Sequence, residues 1–210
     1  MKQYDENPIK KPYHHGDLRN ALIAAGHALL AEEGVTALEL RKVARRAGVS
    51  QAAPYRHFAD KQALVAAIAE DGFRQLTDQT RQALESAPDQ PRRQLQAIAQ
   101  GYVRFALDHP ALMREMFSGL TIERAAYPSL YAASKVGFAH MLGVIQRGQA
   151  RAEFAEADPT QLALVAWSLF HGLAMLLIED QIPDARDNDP MVAQLVDGCM
   201  QTLYRGLARS

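Results

Sequence analysis

The side chains most obviously equipped for chemistry are cations. Arg41, Lys42, Arg45, Arg46, Arg56 and Lys61 fall in a stretch of 21 residues that holds a single carboxylate, Asp60. Such a density of positive charge suits a polyanion, and the phosphate backbone of nucleic acid is the common one. Among these cations sit residues that could read bases. Gln51 carries the paired donor and acceptor that match an adenine edge, and the methyl groups of Ala52 and Ala53 could meet a thymine methyl.

Groups of this kind work only if something rigid presents them, and the local pattern predicts what that is. Leu40, Val43, Ala44 and Ala47 recur at the spacing of one helical face. Gly48 can take the positive φ that ends such a helix, and Ser50 can cap the next. The expected result is a helix-turn-helix. Two residues depart from good helix practice. Pro54 would be the fourth residue of a helix capped by Ser50, so its missing N–H removes the first intrahelical bond and predicts an irregular or 3₁₀-like first turn. Glu39 precedes the first motif helix, where a carboxylate on a long stem caps poorly and repels phosphate.

The run LRKVARRAGVSQAAPYRHFADKQAL, residues 40–64, resembles the DNA-binding signature of the TetR/AcrR family of bacterial transcriptional regulators. Gly48, Ser50, Tyr55, His57, Phe58 and Lys61 stand where that family has them, whereas Glu39 replaces its usual Ser or Thr. The resemblance implies a DNA contact set of Arg41, Ser50, Gln51, Ala52, Ala53, Tyr55, His57 and Lys61. By resemblance and by charge, Arg41, Tyr55, His57 and Lys61 hold the backbone while the short face Gln51 to Ala53 reads bases. Further along, FALDHPALMREMF and WSLFHGLAMLL resemble a WHG-type carboxy-terminal domain of one TetR branch, with Trp167, His171 and Gly172 matching.

Other functions find little support. The seven histidines are scattered and form no HExxH or Cys/His ligand spacing, so no metal or cofactor is expected. Neither G-x-S-x-G nor a Gly-rich phosphate loop is present, and no catalytic residue is assigned. One cysteine, Cys199, excludes an intramolecular disulfide; its apolar neighbours predict a buried structural thiol.

The net charge of −1 hides an asymmetry. Residues 1–69 hold ten Lys and Arg against seven Asp and Glu, and the remainder thirteen against seventeen. Only the amino-terminal third is positive, as expected if that part alone meets phosphate. At 210 residues and 48% hydrophobic, the chain is long enough for one large domain or two small ones.

Helical periodicity without alternating strand patterns predicts an all-α fold of about nine helices. The amino-terminal part is read as a three-helix, helix-turn-helix DNA-binding domain, followed by a helical ligand-binding and dimerisation domain. The expected divisions are a mobile arm over residues 1–13, the DNA-binding domain over 14–60, a connecting helix over 61–84 capped by Asp60, and the ligand-binding and dimerisation domain over 85–210. Lys10 and Lys11 of the arm could reach phosphate. The stretch Leu162 to Ile178 is nearly all apolar but short of the roughly 20 residues that cross a membrane, so no membrane association is expected and burial at a subunit interface is read instead. No secretory leader is visible, which predicts a cytoplasmic protein.

The two helices near 160–178 and 190–208 carry more apolar surface than a monomer comfortably buries, which favours a homodimer, and the resembling family dimerises through its last two long helices. A dimer also fits a palindromic operator in double-stranded DNA, whose half-sites lie about 34 Å apart. Aromatic and sulfur-bearing residues concentrate in the body. Tyr102, Phe105, Met113, Met116, Phe117, Tyr131, Phe138, Met141, Trp167, Phe170 and His171 are the candidates to line a site for a small apolar effector, with His109, His140 or His171 as a polar anchor. Two other readings stay open: a helical small-molecule carrier or enzyme whose basic segment is incidental, and an activator or ligand-independent DNA-binding protein.

Overall fold

The computed structural model describes residues 15–118 and 126–207. Among the described residues the chain forms eight α-helices, two 3₁₀ turns and no strand. Helix α1 spans His15–Glu33 and α2 Leu40–Arg46, with a 3₁₀ turn at Val35–Ala37 between them and a second at Pro54–Arg56. Then come α3 (Lys61–Ser86), α4 (Pro91–Asp108), α5 (Pro110–Phe117), α6 (Pro128–Ala150), α7 (Pro159–Ile178) and α8 (Asp189–Leu207). The expected ninth helix is the second of the motif, and it is only the 3₁₀ turn at Pro54. The arm over residues 1–13, with Lys10 and Lys11, lies outside the described residues.

Punctuation residues explain most boundaries. Gly34 stops α1 at φ 79°, with its N–H bonded to the Leu30 carbonyl at 3.0 Å. Pro occupies the opening of α4, α5, α6 and α7, where a missing N–H costs nothing. Asp60 caps α3 by accepting from the Ala63 N–H at 2.8 Å, and Asp158 does the same for α7 through Thr160.

Helices α1, α2 and the start of α3 bury Leu22, Leu29, Leu38, Val43, Phe58, Leu64 and Ile68 between them. The approach of α1 to α3 is close, since a Cβ on Gly26 would lie 2.5 Å from Ile68 Cδ1. Beyond this cluster α3 runs on into the body, where it packs against α4, α5 and α6, while α7 packs on α4, α6 and α8. Thus α3 belongs to both halves of the molecule.

Helix α7 requires one correction. At 20 residues it is long and apolar enough to cross a membrane by length and composition, so length does not exclude a span. Within the subunit Ala163, Ala166, Phe170, Leu173, Ala174 and Leu177 face inward, while Leu164, Val165 and Leu176 are 47–56% exposed. On α8 the buried face is Val196, Met200 and Leu203, with Leu195 and Cys199 partly buried beside it. Cys199 is half-buried rather than buried, and partial burial raises its thiol pKa.

Candidate nucleic-acid interface and internal cavity

The turn after α2 follows the sequence reading in part. Gly48 has φ 69°, and Val49 N–H closes on the Ala44 carbonyl at 3.0 Å. Beyond it no second α-helix forms. Pro54 has no N–H to give the Ser50 carbonyl, so that carbonyl accepts from Ala53 at 2.9 Å, an i to i+3 bond, and the chain tightens into the 3₁₀ turn Pro54–Arg56. The irregularity expected of one turn extends through the whole segment. Ser50 therefore caps no helix, and Ala53 stands at the N-cap of the 3₁₀ turn without a side-chain bond.

Exposure sorts the candidate contact residues. Arg41, Ser50, Gln51, Ala52 and Lys61 are exposed, Tyr55 is 52% exposed, and Ala53 is half-buried. Pro54 and Phe58 are buried beneath them and anchor the segment to the core. His57 is half-buried; its Nε2 is enclosed and has no hydrogen-bond partner among the described residues. Glu39 precedes α2 with no capping bond, as its side chain predicts.

The cations are not equivalent. Lys42 pairs with Glu33, and Arg46 makes a two-pronged contact with Glu32, the first prong at 2.6 Å. These carboxylates sit at the end of α1, outside the basic stretch Arg41 to Lys61. The Arg46 hydrogen bond holds the Glu32 carboxyl below its ordinary pKa and raises that of Arg46 in return. Arg41, Arg45 and Arg56 make no ion pair among the described residues. Lys61 Nζ reaches the Thr36 carbonyl at 3.4 Å. The Lys61 charge also counters the desolvation that raises the half-buried Glu115 carboxyl.

Inside the body a cavity of about 230 Å³ opens between α3, α4, α6, α7 and the end of α5. Six of the eleven candidate residues line it: Tyr102, Phe117, Phe138, Met141, Trp167 and Phe170. The structure does not place the other five in its wall. Phe105 and Met113 are fully buried core, and Met116 packs on Gly72, where a Cβ would come within 2.7 Å of its sulfur. Tyr131 is 39% exposed. His171 stands behind the wall, its Nδ1 2.7 Å from the Tyr102 hydroxyl, which also accepts weakly from Trp167 Nε1 at 3.4 Å. Trp can only donate, and burial lowers the His171 pKa, which favours a neutral imidazole whose Nδ1 accepts a hydrogen bond from the Tyr102 hydroxyl. Burial likewise raises the Tyr102 pKa far above its ordinary value. The other proposed anchors do not line the cavity: His109 sits at the α4/α5 junction against the Phe105 ring, and the enclosed His140 Nδ1 has no hydrogen-bond partner among the described residues.

Sequence reading missed the side of the cavity that α3 supplies, through Phe73, Leu76, Thr77 and Thr80, and the residues Ile98, Ser134, Lys135 and Gly137. Helix α3 was read only as a connector, although Phe73 and Leu76 share its apolar face. A larger hollow of about 390 Å³ lies at the α1, α3 and α5 junction, where His27 Nε2 meets Asp71 at 2.9 Å and lowers the Asp71 pKa. It is a cleft of mixed polarity and contains none of the clustered aromatic rings.

Comparison with known proteins covers both halves. The family described as "Bacterial regulatory proteins, tetR family" matches residues 22–68, and "Tetracyclin repressor-like, C-terminal domain" matches residues 95–199. A solved structure of a protein of unknown function from Rhodococcus sp. RHA1 is 36% identical and superposes with a TM-score of 0.84, covering 95% of this chain and 100% of that one. The TetR family transcriptional regulator PfmR from Thermus thermophilus shares the fold at 18% identity and TM-score 0.67, over 90% of this chain and 99% of its own. The class A tetracycline repressor protein from transposon 1721 of Escherichia coli is 51% identical over 51 residues, 24% of each chain, so the match spans about a quarter of that curated relative.

Proposed function

The chain belongs to the TetR family and is a DNA-binding transcriptional regulator, not an enzyme, and from that premise we propose that it is a homodimeric, cytoplasmic repressor released from a palindromic operator by a small-molecule effector. In this reading residues 14–60 form the DNA-binding domain, 61–84 the connector and 85–210 the effector-binding and dimerisation domain. Two such heads would dock in successive major grooves, with half-sites about 34 Å apart.

On the DNA side, the exposure of Gln51 and Ala52 supports base reading, Gln51 at an adenine edge and Ala52 or Ala53 at a thymine methyl. Arg41, Tyr55 and Lys61 supply backbone contacts, and His57 does so once its ring turns outward. Helices α7 and α8 supply the dimer face. Leu164, Val165 and Leu176 form an outward apolar strip, and a Cβ on Gly172 or Gly198 would meet nothing within 4 Å, leaving room for a closely packed partner helix.

The observation that carries the release mechanism is the sharing of α3 and α5 between cavity and head. The Phe117 ring lies 5.2 Å from Phe73 and 4.6 Å from His171 at the cavity wall, and its helix α5 packs on both α1 and α3. An effector that prefers one position of Phe117 therefore acts on the elements that aim the head. It must bind the DNA-incompetent arrangement more tightly by several kcal/mol to empty the operator.

The test is a gel shift against the chain's own upstream region with salt titration. Gln51→Ala is expected to cost about 1–3 kcal/mol at one base pair and relax preference there. Lys61→Ala should weaken all sequences alike and reduce the salt slope by about one. Altered base preference with an unchanged salt slope for Lys61→Ala would reverse the assigned roles. Absence of retardation on every palindrome tried would sink the operator reading.

A further inference from the structure

We propose that the internal cavity selects a compact aromatic monoanion, a carboxylate above all, with its ring among Phe117, Phe138 and Trp167 and its charge at Lys135. The inference rests on the reading of that cavity as the effector site and adds the chemistry of its occupant. At about 230 Å³ the space falls below the roughly 300–1,000 Å³ typical of sites for drug-sized ligands, so a compact molecule fits it best.

The wall decides the rest. Its rings meet edge to face, Phe138 against Trp167 at 81° and Phe73 against Phe117 at 76°, a geometry that receives a flat ring well. Most hydroxyls there are already engaged. Tyr102 serves His171 and Trp167, Thr80 bonds the Leu76 carbonyl at 2.9 Å, and Ser134 bonds the Tyr131 carbonyl at 2.9 Å. Among the described lining residues Lys135 is the one charged side chain, and no carboxylate faces it across the cavity. Lys135 is exposed at the rim of the cavity, and its ammonium sits 3.8 Å from the centre of the Tyr131 ring. A cationic occupant would meet Lys135 without a counter-charge, and a neutral one would leave the ammonium unused.

The experiment is calorimetric titration of the full chain with three molecules of one shape: 2-naphthoate, 2-naphthalenemethanol and 2-naphthylmethylamine. The expected order is acid over alcohol over amine, with the acid about three- to fivefold tighter than the alcohol, the range for a partly exposed ion pair. In Lys135→Met the advantage of the acid over the alcohol should disappear, with an unchanged thermal unfolding midpoint reporting an intact fold. Equal binding of acid and alcohol to the wild type, or a preference for acid that survives in Lys135→Met, overturns the anion assignment and leaves the effector cavity standing. Failure of all three to bind overturns the effector cavity itself.

Discussion

The head and the cavity solve opposite problems. At the head, Gln51 and Ala52, the proposed base readers, are exposed beside a single 3₁₀ turn, and Pro54 and Phe58 are buried beneath them. In the body, Trp167, Phe138 and Phe117 must leave a space, so each is partly buried and held by neighbours on other helices. The proposed contact segment of the head is thus short and continuous, whereas the cavity is assembled from residues of five helices. Substitutions in the first should be read in DNA affinity and its salt dependence, and those in the second in stability and ligand binding.

The largest effect expected concerns the border between cavity and core. Phe105 is 1% exposed and outside the cavity, so Phe105→Ala should destabilise by about 3–5 kcal/mol in urea unfolding. Phe138→Ala, at the cavity wall, should lose much less stability and change ligand affinity instead. Equal losses for the two would erase the distinction between wall and core. Next comes Gly148, where an added Cβ would lie 2.1 Å from the buried Phe154 ring. Gly148→Ala is expected to cost about 1–3 kcal/mol by overpacking and to leave the salt slope of DNA binding untouched. A changed slope would show that body packing and head charge are not separable.

A smaller effect is expected with pH. Burial lowers the His171 pKa, so the unfolded chain takes up a proton near 6.5 while the folded one resists it. His171 therefore supports the fold above that pH, and stability falls as pH drops below it. His171→Gln should flatten the stability profile between pH 7 and 5; an unchanged slope would refute the neutral Tyr102–His171 pair. The smallest effect is Glu32→Ala, which frees Arg46 from its exposed ion pair. It should steepen the salt dependence of operator binding slightly, and an unaltered slope would show that Arg46 stays away from phosphate in either state.

The same contrast governs what could be read from the residues alone. Helix boundaries at Gly34, Asp60, Pro159 and Pro190 were legible because each is a local matter of capping or a missing N–H. Six cavity residues were legible as a concentration of aromatic and sulfur-bearing side chains, five rings and Met141. The pairing of Lys42 and Arg46 with Glu33 and Glu32 was not, since it depends on α1 folding back beside α2. Nor was the contribution of Thr77, Lys135 and Gly137 to the wall, because nothing in a helix's own periodicity states which neighbour will stand off from it. Phe105 and Met113 had the right chemistry and the wrong depth, a difference that only packing decides.

Helix α3 carries Lys61 at its first residue and Thr77 in the cavity wall, so about 24 Å of rigid rod separates the two. Pivoted near Thr77, that rod turns an inclination of about 5° into a displacement of about 2 Å at Lys61, by the same geometry. In a two-fold dimer both rods would swing, and the mismatch with a fixed groove spacing would double. The molecule therefore has mechanical advantage built into its longest helix. Sub-ångström adjustments around a small occupant would be enough to detune two recognition segments, without either one changing its own shape.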